Sequence, residues 1–130
     1  MANANSVNWF EIYVQDMPRA RAFYETVFAI RLEGLKVPGD PGASGLEMLS
    51  FPGDMERYGA NGALCRMQGV PSGPGGTLVY FACEDCAVEA GRIEAAGGRI
   101  HRPKMSIGEY GHIVLAFDTE GNMIGLHSMQ

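Results

Sequence analysis

The pattern of hydrophobic and polar positions begins with a two-residue repeat, from Val7 to Val14. This segment is rich in aromatic and β-branched residues and predicts a strand. Alternation along a strand would place one face in the core and give the other a mixture of aromatic and acidic groups, as the lining of a pocket has. That second face carries Trp9, Glu11 and Tyr13.

A helical repeat follows this strand directly. Asp16 stands where a helix N-cap belongs, and Pro18 is tolerated in the first helical turn. Apolar residues then recur at helical spacing and form one stripe, so we interpret its aromatic pair, Phe23 and Tyr24, as core. The stripe consists of Ala20, Phe23, Tyr24, Val27 and Phe28.

A stretch rich in glycine and proline, residues 68–76, predicts a linker. It divides the chain into a first module over about residues 7–67 and a second over about 77–129. The length of 130 residues suits one compact domain, which we assign to residues 1–130.

The two halves share a plan when they are aligned with one constant offset. Asp85 then falls on Asp16, and Tyr80 falls on Glu11. Asp85 therefore predicts the cap of a second helix, over Cys86 to Ala96, which a glycine pair ends.

Strands complete both halves, so that each follows the order β-α-β-β-β and the fold class is α+β. In the second half we predict a loop over Pro103 to Tyr110. The predicted strands after the first are Leu46 to Phe51, Ala63 to Met67, Thr77 to Cys83, a short one near Arg99 and Ile100, Gly111 to Phe117, and Met123 to His127.

Composition narrows the possible functions. The net charge of -5 disfavours nucleic acid as a partner, since nucleic acid selects for a basic face. No apolar run approaches the roughly 20 residues that a membrane span needs, so we expect no membrane partner. The first six residues resemble no targeting peptide, and an odd count of three cysteines suits a reducing compartment, so we expect a cytoplasmic protein.

Several segments, in their order and spacing, resemble the vicinal oxygen chelate superfamily, the glyoxalase/bleomycin resistance protein/dioxygenase fold. The resemblance implies two modules whose eight strands form an open cup around a small-molecule site, and a homodimer. The segments are Asn8 to Asp16 with Ala22-Phe23-Tyr24, Glu94 to Gly98, Ser106 to Gly111, and Asp118 to Asn122 with Ile124 to Ser128.

Enzymes of this superfamily bind one divalent metal through four side chains, and the resemblance places those positions here. They fall on Trp9, near Glu47, on Leu78 or Thr77, and on Gly125. Only Glu47 offers a good ligand, whereas a divalent ion needs three or four His or carboxylate ligands. We therefore expect no cofactor at the family positions, and no glyoxalase I activity, although a divalent metal elsewhere stays possible.

Glu11 and His127 keep a catalytic or metal-binding role open. Strand alternation puts Glu11 on the face of Trp9 and His127 on the face of Gly125, so both would point into the cup. This pair could act as base and acid, clamp a substrate, or join Glu47 as ligands of a relocated metal. A buried hydrogen-bonded pair that joins the modules explains them equally well.

Other residues are candidates for contact with a bound molecule. Trp9 and Tyr80 would stack on a planar ligand, and the thioether of Met48 would adapt to an apolar one. Tyr110 and His112 belong to a stretch that could cover the cup, or that simply joins two strands. A redox or zinc role for the Cys83-x-x-Cys86 spacing is disfavoured, because no second cysteine pair accompanies it.

Three functions remain open on these residues. The first is a binding protein that holds a small, partly hydrophobic molecule in the cup without the standard metal. The second is a lyase, isomerase or dioxygenase that uses Glu11 and His127, with or without a metal. The third is an interaction module whose cup is vestigial and filled by its own side chains.

Overall fold

A computed structural model describes residues 9–35, 45–54, 56–75 and 78–130 of the chain. The first module contains β1 (Trp9–Tyr13), α1 (Met17–Phe28), β2 (Glu33–Gly34), β3 (Glu47–Ser50) and β4 (Asn61–Arg66). The second contains β5 (Val79–Ala82), α2 (Cys86–Ile93), β6 (Arg99–Ser106), β7 (His112–Phe117) and β8 (Met123–Ser128), with a short 3-10 helix at Gly108–Tyr110.

The strands form two four-stranded sheets with the same topology. Their orders are β1-β4-β3-β2 and β5-β8-β7-β6. In each sheet the first strand of the module pairs in parallel with the last, and the other pairs are antiparallel. The first strand of each module therefore keeps one edge unpaired within its own sheet, and the predicted α+β class is confirmed.

Both helices begin where their capping residues predict. The Asp16 side chain accepts a hydrogen bond from the Arg19 amide at 3.1 Å, and the Asp85 side chain accepts one from the Ala87 amide at 3.0 Å. The second helix ends at Ile93, earlier than predicted, and residues 94–97 continue as turns. None of the described helices is long and apolar enough to cross a membrane.

The predicted loop from Pro103 to Tyr110 is wrong over its first half, because β6 runs from Arg99 to Ser106. Proline weakens a strand prediction, since it cannot donate to a ladder. Here β6 is an edge strand, and its register against β7 shifts between Arg102 and Met105. The irregularity accommodates Pro103, as bulges do.

One hydrophobic core joins the two modules. It includes Phe23 and Tyr24 of α1, which are fully buried as predicted, together with Ile93 of α2 and apolar residues of both sheets. Next to it lies a cluster of phenylalanine rings from β1, α1, β5 and the segment just after β3, with centroids 4.6 to 6.1 Å apart. These rings belong to Phe10, Phe28, Phe51 and Phe81.

Polar side chains in the turn between β7 and β8 form hydrogen bonds and an ion pair that connect the second module to the first. The buried Glu120 carboxylate accepts hydrogen bonds from the Gln15 and Asp16 amides, both at 2.9 Å, and pairs with Arg19 at 2.8 Å. Asp118 accepts the Tyr24 hydroxyl at 2.7 Å. The turn therefore satisfies donors at the start of α1, where a negative charge is also favoured by the helix dipole.

Candidate functional site

A cleft of about 940 Å³ lies between the modules, along β1 and β5. Both faces of these strands contribute, and α1, α2 and the segment before β4 complete the walls. The lining residues are Trp9, Phe10, Glu11, Phe28, Ile30, Phe51, Pro52, Gly53, Asp54, Arg57, Tyr58, Gly59, Ala60, Asn61, Leu78, Val79, Tyr80, Phe81, Ala82 and Glu89.

Glu11 lines this cleft, and its carboxylate is held by aromatic donors on its own strand. The Trp9 indole Nε1 donates to Oε2 at 3.2 Å, and the Tyr13 hydroxyl donates to Oε1 at 2.8 Å. The hydrogen bond to Glu11 is the largest cause that raises the pKa of Tyr13 to about 12. These contacts confirm that Trp9, Glu11 and Tyr13 share one face, and they fix the carboxylate at the cleft wall.

The residues beside Glu11 and Tyr80 offer few metal ligands. The register pairs Glu11 with Ala63 on β4 and Tyr80 with Gly125 on β8. The Tyr80 ring covers Gly125 so closely that a Cβ added there would collide with it. This donor set does not fit a divalent ion, which takes several carboxylate or imidazole ligands.

The positions implied by the family's metal site do not converge on a ligand set. Glu47 is exposed and lies 3.9 Å from Arg66, and Met48 rather than Glu47 shares the face of Tyr13 in the register. Leu78 is apolar, and Thr77 lies outside the described residues. Across residues 9–35, 45–54, 56–75 and 78–130, no three His, Cys, Asp or Glu side chains are grouped to hold a metal.

His127 is not part of the cleft lining, so the cleft contains only one member of the predicted pair. Its Nε2 lies 2.7 Å from the Tyr110 carbonyl oxygen. A carbonyl only accepts, so this imidazole nitrogen carries the proton and donates. The contact ties β8 to the 3-10 helix before β7.

The remaining candidate residues divide between the cleft and other surfaces. Trp9 and Tyr80 line the cleft, as an aromatic-stacking role requires, whereas Met48, Tyr110 and His112 do not. Tyr110 is largely exposed. The Nδ1 of His112 is buried and has no hydrogen-bond partner within the described ranges. The predicted contacts of these three residues therefore stay predictions.

Most cleft residues were not predicted as site residues, among them the four clustered phenylalanines and Glu89. The phenylalanines have the same sequence signature as ordinary core, so periodicity could not single them out. Glu89 did carry a signal. It lies three residues after Cys86 and four before Ile93, on the edge of the apolar stripe of α2, where a carboxylate interrupts the pattern.

The Cys83 thiol has the properties of an unreactive group. Burial, as the larger cause, and the neighbouring Glu89 carboxylate together raise its pKa to about 12. Cys86 is fully buried. A thiol held in this way gives little thiolate, so these contacts add no support to a redox role.

Comparison with known proteins identifies the class. The family model for the Glyoxalase/Bleomycin resistance protein/Dioxygenase superfamily matches residues 6–126. The chain therefore belongs to this superfamily, as its motifs predict.

Individual relatives are distant. The chain is 27% identical over 121 residues to the "Putative glyoxylase CFP32" of Mycobacterium tuberculosis, a match that covers 92% of this chain and 44% of that protein. It thus spans less than half the length of this curated relative.

Two solved structures share the fold along nearly the whole chain. A glyoxalase-related enzyme from Fulvimarina pelagi superposes with a TM-score of 0.66 at 16% identity, covering 95% of this chain and 87% of the other. TnmS3, an antibiotic binding protein from Streptomyces sp. CB03234, gives 0.64 at 22% identity and covers 98% of both.

Proposed function

We propose that this chain is a glyoxalase/bleomycin-resistance-like binding protein that holds a small, partly hydrophobic molecule between its modules without the standard metal. The observation that carries this proposal is the aromatic cleft of about 940 Å³ along β1 and β5. Small-molecule sites are concave, largely apolar, and enclose about 300–1,000 Å³, with a few polar groups that orient the ligand.

The polar groups of the cleft suit binding better than metal-assisted chemistry. Glu11 is held by two aromatic donors, and no imidazole belongs to the lining. Ring faces from Trp9 and Tyr80 are available for stacking on a planar ligand. That TnmS3 is an antibiotic binding protein on the same fold is compatible with a container role, though fold alone does not imply function.

The enzyme alternative rests on Glu11, which lines the cleft, and on the relative named as a glyoxylase. It predicts turnover that depends on Glu11 and His127. Elemental analysis of protein purified without a metal-affinity tag, beside Glu11→Ala and His127→Ala, tests the metal-dependent form. Near-stoichiometric metal that both variants lose would favour the enzyme. Turnover that survives exhaustive chelation and is lost in Glu11→Gln would favour its metal-free form.

The interaction-module alternative requires a cup that is filled by its own side chains. An open cleft of about 940 Å³ argues against that filling. We further propose a homodimer, as is usual for the superfamily. The exposed apolar residues Met105 and Tyr110, which do not line the cleft, are available for a second copy to cover.

A neutral bicyclic probe, 2-naphthylmethanol, tests the binding proposal by isothermal titration calorimetry on protein treated with EDTA. We expect saturable binding that persists after chelation. Ala82→Phe places a ring at an exposed position of the cleft wall, so we expect it to weaken binding at least about tenfold, by overfilling the space that the probe occupies.

Ala87→Phe is the matched control, since Ala87 is exposed on α2 and does not line the cleft. We expect it to bind like the wild type. Equal binding by the Ala82→Phe variant would place the probe elsewhere, and an absence of binding to any of these proteins would count against the container role.

A further inference from the structure

Glu89 places a carboxylate in the wall of the aromatic cleft. It lies in the first turns of α2 and is half-buried. The same lining includes Phe28 and Phe81, whose ring centroids are 4.6 Å apart. The carboxylate therefore lines the same cleft as the phenylalanine cluster.

One oxygen of this carboxylate is left without a donor. Oε1 of Glu89 is buried and has no hydrogen-bond partner in the part of the chain that the structure describes. The Cys83 thiol, a weak donor, is hydrogen-bonded to the Phe81 carbonyl at 3.6 Å, and its interaction with the Glu89 carboxylate raises the pKa of the thiol. Buried polar atoms are almost always paired, and an unpaired carboxylate oxygen carries a large desolvation cost.

The other charges of the cleft favour a positively charged ligand. Among the described residues, the lining contains three acidic side chains, Glu11, Asp54 and Glu89, and one basic side chain, Arg57. Trp9 and Tyr13 already donate to Glu11, and the Glu56 amide donates to Asp54. Arg57 is exposed, as is its neighbour Tyr58, so they form the outer rim. Among the described residues of the lining, Glu89 is the carboxylate with a buried oxygen that has no hydrogen-bond partner.

Aromatic ring faces and a carboxylate in one cleft both attract a cation. The negative face of an aromatic ring attracts a cation, and this attraction strengthens when water is excluded. A carboxylate adds a charge-assisted hydrogen bond to the same cation. A flat hydrophobic ligand with a protonated amine would satisfy both features at once.

We propose that the cleft selects flat aromatic molecules that carry a protonated amine, with Glu89 Oε1 accepting the ammonium hydrogen bond. This inference rests on the proposed function, since it names the ligand class of the same cleft. Glu89 acts as the residue that determines specificity, and the phenylalanine rings supply the apolar surface.

Three probes with the same naphthalene ring test the proposal by isothermal titration calorimetry: 2-naphthylmethylamine, 2-naphthylmethanol and 2-naphthoate. We expect the amine to bind about ten- to a hundredfold more tightly than the alcohol, the range for a hydrogen bond to a charged group. The naphthoate should bind more weakly than the alcohol, because its charge faces Glu89.

Glu89→Gln keeps the shape of the side chain and removes its charge. We expect it to bring the amine-to-alcohol ratio close to one while the affinity for the alcohol changes little. Glu94→Gln is the matched control, because Glu94 is exposed just after the same helix and does not line the cleft. It should retain the wild-type ratio.

The outcomes separate this proposal from the one it depends on. Equal binding of amine and alcohol by the wild type would overturn the assignment to Glu89 while leaving a binding cleft. The same would follow from a ratio that survives Glu89→Gln. Failure of all three probes to bind would contradict the binding function as well.

Discussion

Glu120 shows how one side chain can hold two modules together. It follows β7 in the second module, yet its partners are Gln15, Asp16 and Arg19 of the first. The side chain is fully buried, while that of Arg19 is half-exposed. Glu120 stabilises the fold mainly by accepting hydrogen bonds from backbone amides, because without it those amides would be buried with no acceptor.

Glu120→Gln should therefore destabilise the protein. The amide keeps the shape but places an NH₂ group against N–H donors. We expect a loss of about 2–3 kcal/mol in the free energy of unfolding, as for a lost hydrogen bond to a charged group. Urea denaturation followed by circular dichroism measures it. Glu94→Gln should stay within about 0.5 kcal/mol of the wild type, as exposed positions do.

The same residue predicts an acid-sensitive contribution to stability. Burial alone would raise the pKa of Glu120, but hydrogen bonds from Arg19, Asp16, Thr119 and Gln15 outweigh it and lower the pKa from 4.5 to about 2. The stabilisation is therefore complete above the unfolded pKa and is lost as the pH falls towards 2.

Urea midpoints at pH 7, 4 and 3 test this sign, with wild type and Glu120→Gln compared at each pH. The difference between the two proteins should shrink as the pH falls. The comparison is needed because burial raises the pKa of Asp118, which shifts stability in the opposite direction. A difference that stays constant down to pH 3 would contradict the assignment.

Two glycines leave room for aromatic side chains of the strands beside the cleft. Phe10 on β1 faces Gly62 on β4, and Tyr80 on β5 faces Gly125 on β8, so each module places a ring over a glycine of its last strand. The glycine is required for close approach rather than for an unusual backbone angle, since neither has a positive φ.

Gly62→Ala should force the Phe10 ring to move, because the new Cβ would lie 2.5 Å from its atoms. We expect a loss of about 1–3 kcal/mol from overpacking. Gly91→Ala on α2 is the control. Nothing lies within 4 Å of a Cβ there, so alanine should stabilise the helix by up to about 1 kcal/mol. Thermal unfolding of both variants measures the two effects, and a neutral Gly62→Ala would contradict the packing described.

An exposed apolar face of the second sheet leads us to predict a dimer. Met105 pairs with Ile113, which pairs with His127, so these residues share one face of the second sheet. Met105 is 39% exposed and Tyr110 is 68% exposed, which is unusual for large apolar groups without a partner. The helix α2 covers the opposite face through Ile93.

We expect sedimentation equilibrium to show a dimer, because a second copy would remove this apolar face from water. The double variant Met105→Glu, Tyr110→Glu should weaken the dimer at least about tenfold, since it would bury charge at the interface. Val88→Glu, at a position 52% exposed on α2, should leave it unchanged. A monomeric wild type at micromolar concentration would contradict the expectation.

Local sequence signals were sufficient for most of the elements of this chain. Asp16 and Asp85 cap both helices as predicted, since an N-cap depends only on a side chain and the amides two or three residues beyond it. Strand alternation likewise placed Glu11 beside Trp9 and Tyr13. The failure at Pro103 has a tertiary cause, because only pairing with β7 as an edge strand makes a proline acceptable there.

The contents of the cleft depend on packing between distant elements. The four clustered phenylalanines come from three elements and the segment after β3, and their sequence pattern is that of core. Whether a ring faces solvent, core or a cleft is fixed by the angle and spacing of the modules, which local periodicity does not encode. The same holds for Glu89 and His127. The chain's own pattern specified both helices and most of the strands, whereas the packing of the two modules put Glu89 in the cleft wall and left His127 outside it.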